Sequence, residues 1–353
     1  MRVHDNKVGF SQRVGKLDRE YACSKAVTKQ HVDLILSKNQ STDGIRKDEL
    51  QTVKQELKNE KILAQKVAYK NVCDNLTPKG KRCLELSSEK GASSWLTALP
   101  LENLGYSLNK QEFRNAIKIR YNWSIPEMPN YCACGSQNSI DHALSCKKGG
   151  YPILRHNAIR DVEAMLMKEA GCVDVRIEPG LLECETDNSM SPRTNIQPNA
   201  RLDISARGIF GTYERTFCDV RVTHPNCPSN VFKPIDDIYK EHEAAKRKEY
   251  EERVRQTEKG SFVPLIMTTS GGMGPALNDM NKRLAQKICD KRGDQYSYVI
   301  NHIRTRVRFA LMRGILIAIL GERGRSVSEK SKENELYNVN LNLIPQRNSY
   351  QPR

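Results

Sequence analysis

One short segment carries four side chains that commonly bind metal ions. Cys132, Cys134, His142 and Cys146 have the spacing C-x-C-x7-H-x3-C, and three thiolates with one imidazole form a tetrahedral donor set for Zn²⁺. Gly135 permits a tight turn after the first pair, while His142 and Cys146 are one helical turn apart. The spacing predicts a structural zinc knuckle, because the protein fills all four positions. Buried free cysteines are the alternative interpretation.

Two aspartates lie among apolar neighbours in adjacent segments that are predicted to be β-strands. Asp203 and Asp219 are unusual there, because strands disfavour aspartate and a buried carboxylate is costly without a partner. If the strands are antiparallel neighbours, the two carboxylates can meet, and a cation between them would relieve their repulsion. Mg²⁺ or Mn²⁺ suits such a site, where it could activate water against a phosphodiester. Ordinary salt bridges with nearby arginines remain an equal alternative; the arginines are Arg201, Arg207 and Arg221.

Composition points to a basic protein with polyanionic partners. The 353 residues are 38% hydrophobic and 28% charged, with a formal net charge of +15, which favours nucleic acid first and an anionic membrane surface second. A basic protein without a polyanion partner is the alternative. The 11 cysteines, without a secretory signal, indicate a reducing, intracellular compartment. The most apolar stretch, 309–320, is too short to span a bilayer and contains Arg313.

Periodicity divides the chain into regions of different character. Phe113, Ile117 and Tyr121 form an apolar stripe on one predicted helix, which indicates core packing. The predicted regions are a Lys-rich, partly disordered helical region at 1–90, a helical connector at 91–130, the knuckle at 131–150, a core of strands and helices at 151–292, a packing helix at 293–321 and a disordered tail at 322–353.

Several segments together resemble the C-terminal part of site-specific non-LTR retrotransposon polyproteins and related uncharacterised invertebrate proteins. The matching segments, between about 91 and 320, include "CACG…DHALSCKKGG" (132–150), "RHNAIRD" (155–161), "EPGLL" (178–182), "RLDI" (201–204), "FCDVRV" (217–222), "KRKEY" (246–250) and "GSFVPLIMTTSGGMG" (260–274). The resemblance implies a zinc knuckle followed by an endonuclease of the PD-(D/E)xK class. The implied fold is α+β or α/β, with a restriction-endonuclease-like mixed sheet flanked by helices and preceded by the knuckle and a helical N-terminal region.

The resemblance also implies residue roles. Asp203 would be the first catalytic acid and Asp219 the second, while Arg221 stands where the family has lysine. Arginine stays protonated and cannot replace a tunable lysine. Lys246, four residues before Tyr250, matches the lysine that the family often places on the next helix; a solvated surface charge is the alternative for Lys246. Two further carboxylates, Glu163 and Glu178, are candidates for an additional acid.

The sequence therefore predicts a metal-dependent DNA endonuclease that nicks DNA in the nucleus. The predicted ions are structural Zn²⁺ and catalytic Mg²⁺ or Mn²⁺, and the predicted partner is DNA, with RNA as the other nucleic acid and no membrane. An inactive nucleic-acid-binding module of the same fold is the first alternative, and a structural or scaffolding protein is the second. The sequence contains no reverse transcriptase motif of the Y/F-x-D-D type.

Overall fold

A mixed four-stranded β-sheet is the centre of the fold. In the computed structural model, which describes residues 47–183 and 191–321 with side chains from residue 55 onward, the strand order is β1-β2-β3-β4. The strands are β1 (Val173–Ile177), β2 (Ile204–Arg207), β3 (Arg215–Thr223) and β4 (Ser261–Thr268). β2 is antiparallel to both β1 and β3, whereas β3 and β4 are parallel.

The helices fall into two units, which divide between Asn75 and Leu76. In the first unit, the described helix is α1 (Lys47–Asp74), and nearly all of its described side chains are exposed. The second unit contains the sheet and the helices α2 (Pro78–Ser88), α3 (Ser94–Thr97), α4 (Lys110–Arg120), α5 (Ile140–Ser145), α6 (Tyr151–Glu169), α7 (Ile235–Gln256), α8 (Pro275–Arg292) and α9 (Tyr296–Leu320).

Helices cover both faces of the sheet. On one face, α6 and α8 pack on the strands and α9 packs on both helices, burying side chains such as Ile204, Cys218 and Val220. On the other face, α7 crosses from β3 to β4 and encloses a smaller cluster with Phe217 and Tyr250. Alternating residues of β3 therefore enter two different cores, since successive side chains of a strand point to opposite faces.

The predicted fold class is confirmed: the protein has a mixed α/β architecture, with a helical N-terminal region and a Cys–His cluster before the sheet. Pro264 lies inside β4, which an edge strand tolerates because one side of its backbone needs no ladder partner. The predicted tail at 322–353 and residues 1–46 of the predicted region at 1–90 lie outside the described residues. Among the described residues, none of the helices is long and apolar enough to cross a membrane.

Candidate functional site

A tight turn places the first two ligands of the Cys–His cluster. Tyr131 and Gln137 form an isolated antiparallel bridge, and within it the Cys132 N–H donates to the Ser136 carbonyl at 2.9 Å. Gly135 has φ +87°, a left-handed conformation that glycine adopts without a steric penalty. The turn brings Cys134 back beside Cys132, as the sequence predicts for this glycine.

Helix α5 supplies the other two ligands. Ser139 caps the helix, because its Oγ accepts the His142 N–H at 3.0 Å. The Cys146 N–H closes the last turn by donating to the His142 carbonyl at 2.8 Å. One helical turn therefore separates His142 from Cys146, and both side chains lie on the same side of the helix.

The four ligand atoms of the Cys–His cluster converge within 4.8 Å of one another. The sulfurs of Cys132 and Cys146 are 3.8 Å apart, and Cys134 Sγ is 3.3 Å from His142 Nε2. Tetrahedral zinc with ordinary bond lengths requires edges of about 3.8 Å between sulfurs and about 3.6 Å between sulfur and nitrogen. The residues fit Zn²⁺ by both donor type and spacing. In the part of the chain that the structure describes, this is the one such group of three or more metal-ligating side chains.

The Cys–His cluster is tied to the sheet by a hydrogen-bonded chain of side chains. Asp141, on α5, has Oδ1 at 3.0 Å from His224 Nε2, and His224 Nδ1 lies 2.7 Å from Thr269 Oγ1. His224 directly follows β3, and Thr269 directly follows β4. Folding of the cluster and packing at this end of the sheet are therefore coupled.

Asp203 lies directly before β2, opposite Asp219 of β3. The antiparallel register pairs Ile204 with Cys218, and its continuation by one residue pairs the two aspartates. The Asp203 Oδ2 atom accepts the Val220 N–H at 2.6 Å and lies 3.0 Å from His156 Nε2. Burial lowers the pKa of His156, but the hydrogen bond and charge of Asp203 outweigh it, so that the pKa of His156 is raised.

Asp219 is buried on the face of the sheet that α7 covers. Lys246 Nζ, on α7, lies 3.1 Å from Asp219 Oδ2, with the two side chains 17% and 10% exposed. Lys246 is the cationic partner of this buried Oδ2, for which the described residues provide no other hydrogen-bond donor. Burial raises the pKa of Asp219 to about 6; Lys246 opposes that shift and Asp203 adds to it.

The two aspartates thus face each other across neighbouring strands, and their charges interact. Their observed partners are a histidine and a lysine, where the salt-bridge alternative expected arginines. Unlike the Cys–His cluster, neither aspartate belongs to a group of three close metal-ligating atoms among the described residues.

Arg221 and Tyr250 lie on the same side of the sheet as Asp219. Arg221 is exposed. The pKa of His242 is lowered to about 4, mainly by the burial of His242 and next by the charge of Arg221. Tyr250 is buried, with its ring centroid 5.3 Å from Lys246 Nζ. The predicted helix spacing therefore does bring Lys246 and Tyr250 together.

The two additional carboxylates lie in different environments. Glu163 is fully buried in the core on α6, where its Oε1 accepts the Asn281 amide at 3.2 Å. Glu178 is exposed and pairs with Arg160 at 2.5 Å, although its backbone N–H donates to the Asp203 carbonyl. Glu163 is thus surrounded by core residues, and Glu178 is near Asp203 through its backbone.

His156 is the residue at this site that sequence reasoning did not single out. It belongs to the segment 155–161, but nothing in its spacing shows that α6 will bring it to Asp203, 47 residues later. A lone histidine on a helix gives no signal of its own; the strand register was needed to place its partner.

Comparison with known proteins gives no further assignment: no protein-family model matches the chain, and no curated protein matches it.

Proposed function

We propose that this protein is a metal-dependent DNA endonuclease domain that nicks DNA and carries a zinc knuckle for nucleic-acid binding. The observation that carries the proposal is the pairing of Asp203 with Asp219 across β2 and β3, with Lys246 against the second carboxylate. Two acids and a lysine are the functional groups that metal-dependent phosphodiester hydrolysis uses. The resemblance to non-LTR retrotransposon polyproteins supports the same origin for this domain.

The donor set suits Mg²⁺ or Mn²⁺, which prefer carboxylate oxygens. Asp219 Oδ2 is buried with Lys246 Nζ 3.1 Å away as its cationic partner, so a metal ion bound there would share this oxygen with the ammonium. Bound there, the ion would polarise the phosphodiester and lower the pKa of an attacking water. Asp203 would share the ion through its carboxylate, which the Val220 N–H and His156 hold in place.

Lys246 takes the role that Arg221 cannot fill. Its ammonium lies at Asp219, whereas Arg221 is exposed. Beside the reacting phosphate, Lys246 would stabilise the additional negative charge of the transition state. The basic surface and the knuckle would hold the DNA backbone, which makes binding sensitive to salt.

An inactive nucleic-acid-binding module of the same fold is the second candidate. It is favoured by Arg221 and by the partners that already occupy both acids, His156 at Asp203 and Lys246 at Asp219. A scaffolding protein is the third candidate, favoured by the hydrogen bonds that tie the Cys–His cluster to the sheet.

Nicking of supercoiled plasmid in Mg²⁺ or Mn²⁺ separates the three candidates. We expect nicking by the wild type and a loss of more than about 100-fold in Asp203→Asn and Asp219→Asn, since each removes a metal ligand. Asp237→Asn, on an exposed carboxylate of α7, is the matched control and should nick normally. Equal traces in all four proteins would indicate contamination and contradict the proposal.

Binding without nicking would support the inactive module, and Arg221→Lys then tests whether the missing lysine explains it. A protein that neither binds nor nicks DNA would support the scaffold.

A further inference from the structure

Two aromatic rings are stacked on each other at the protein surface after helix α4. The ring centroids of Tyr121 and Trp123 are 5.1 Å apart, with an angle of 25° between the planes. Tyr121 is 46% exposed and Trp123 is 57% exposed. The core packing predicted for the stripe that contains Tyr121 is therefore wrong at Tyr121, whereas Phe113, also 46% exposed, keeps an edge-on contact with the buried ring of Trp95.

The backbone fixes this pair in place. Asn122 adopts a left-handed conformation, with φ +52°, directly after the helix end at Tyr121. The Trp123 N–H donates to the Lys118 carbonyl at 2.8 Å, and the Asn122 N–H donates to the Ile119 carbonyl at 3.1 Å. These two bonds form a Schellman motif, a common and well-ordered helix end. The rings are thus presented by a rigid element, so that a ligand would pay little to order them.

The hydrophobic contact that usually accompanies this motif runs from the residue at the Trp123 position back to the helix. Here Trp123 stacks on Tyr121 instead, and both rings keep much of their surface in solvent. The other tryptophan, Trp95, is buried in a core cluster with Tyr106. The exposed pair therefore has a surface available for a flat, apolar ligand.

Helix α4, which ends at the pair, is basic, although one of its cations, Lys118, is paired with Glu127 at 3.6 Å. Helix α4 carries four cationic residues against a single acidic one, Glu112; the cationic residues are Lys110, Arg114, Lys118 and Arg120. The guanidinium carbon of Arg120 lies 5.9 Å from the centroid of the Tyr121 ring. Aromatic stacking beside cationic side chains is the combination with which proteins bind single-stranded nucleic acid, because every base has a flat face and every nucleotide a phosphate.

We infer that the Tyr121–Trp123 pair is a binding platform for an unpaired base of single-stranded nucleic acid, with α4 neutralising the adjacent phosphates. The inference rests on the nucleic-acid partner of the proposed function, and it adds a site for unpaired strands outside the aspartate pair. Duplex DNA would not use the platform, because its bases are already stacked on one another.

Tryptophan fluorescence tests the inference directly. The chain has two tryptophans, and Trp95 is only 4% exposed, so that an added oligonucleotide would quench Trp123 selectively. We expect quenching by oligo(dT) and little quenching by a duplex of equal length. Trp123→Phe should retain binding, measured by anisotropy of labelled oligo(dT), and lose the quenching. Oligo(U) in a parallel titration shows whether DNA or RNA is preferred.

Alanine variants measure what the platform contributes. Removing both rings, in Tyr121→Ala/Trp123→Ala, should weaken oligo(dT) binding by about 10–100-fold, which is the usual effect of losing base stacking. Tyr213→Ala, which removes a 92% exposed tyrosine from the turn between β2 and β3, is the control and should bind normally. A variant that leaves the aromatic rings in place, Asn122→Val, should also weaken binding, since a β-branched residue does not tolerate a positive φ.

The outcomes separate this inference from the proposed function. Plasmid nicking without Trp123 quenching would overturn the platform and leave the nuclease, whereas quenching without nicking would support the platform and contradict the nuclease. Oligo(dT) binding that the double alanine variant leaves unchanged would also overturn the platform, and so would binding of a protein partner with no affinity for oligo(dT).

Discussion

Lys246 Nζ lies 3.1 Å from Asp219 Oδ2, and this ion pair joins helix α7 to β3, the strand that carries Asp219. Both side chains are more than four-fifths buried. Burial lowers the pKa of Lys246, but Asp219 and then Glu249 outweigh it and raise that pKa. Each of the two opposite charges therefore stabilises the ionised form of the other at a site that is largely shielded from water.

Lys246→Met should destabilise the protein by about 2–3 kcal/mol, because it leaves the buried carboxylate of Asp219 without a cation. Urea unfolding at neutral pH measures the change. Adding Asp219→Asn should recover most of the loss, and a double-mutant cycle then gives the coupling between the two side chains.

Helix α7 offers a matched control in Lys240, which pairs with Asp237 at 3.7 Å with 75% and 53% of the side chains exposed. Lys240→Met should change the free energy of unfolding by less than about 0.5 kcal/mol, as is usual for exposed pairs. Equal effects of the two substitutions would contradict a special role for the buried pair.

Zinc is expected at one ion per chain, bound by the Cys–His cluster. Cys132→Ser and Cys146→Ser should each abolish stoichiometric zinc in the purified protein, measured by atomic absorption. Because the cluster is hydrogen-bonded to the sheet through Asp141 and His224, chelation should lower the melting temperature by about 5 °C or more. Cys227→Ser, at a free cysteine outside the cluster, should keep both the zinc and the melting temperature.

The local elements of this fold could be predicted from the sequence. The predicted pair of strands that carries the two aspartates is observed as β2 and β3, with Asp203 directly before β2 and Asp219 within β3. The four-residue spacing of Lys246 and Tyr250 also placed the lysine correctly on one helix face. Such features depend on residues close in sequence, where hydrophobic periodicity and turn residues are informative.

Contacts between distant segments could not be predicted in the same way. Asp203 meets His156 only because α6 packs beside the end of β2, and His224 meets Asp141 across 83 residues. The identities of the partners of Asp203 and Asp219 depended on which helices cover the sheet. A single sequence contains no record of that packing, so the arginines next to the aspartates were equally good candidates.

Stability should depend on pH through Glu163. Burial raises the pKa of Glu163 from 4.5 to about 7. A group whose folded-state pKa is raised stabilises the fold fully below its unfolded pKa, and that stability is lost as pH rises through the folded value. The window here is about pH 4.5 to 7, and the loss is on the order of 3 kcal/mol, since one pKa unit corresponds to about 1.4 kcal/mol.

Glu163→Gln removes this titration while its amide oxygen can still accept the Asn281 hydrogen bond. The stability of the variant relative to the wild type should be greater at about pH 8 than at about pH 5, and urea unfolding midpoints at the two pH values measure this change. Glu178→Gln, on the surface, should follow the wild type at both. A Glu163→Gln difference that is the same at the two pH values would rule out the titration of Glu163 as the cause.

Gly260 is required where β3 and β4 begin side by side. A Cβ at this position would lie 2.4 Å from the backbone carbonyl oxygen of Arg215, and a backbone atom within a parallel strand pair cannot move aside as a flexible side chain can. Gly260→Ala should therefore separate the start of β3 from β4 and destabilise the protein by about 2–3 kcal/mol, which is typical of overpacking at a rigid site.

Gly180→Ala is the matched control, because nothing lies within 4 Å of its Cβ position, and its unfolding midpoint should stay near that of the wild type. Since β3 carries Asp219, the Gly260 variant should also lose any metal-dependent nicking in proportion to its unfolding. A Gly260→Ala protein as stable as Gly180→Ala would show that the parallel pair is looser at this end than the geometry indicates.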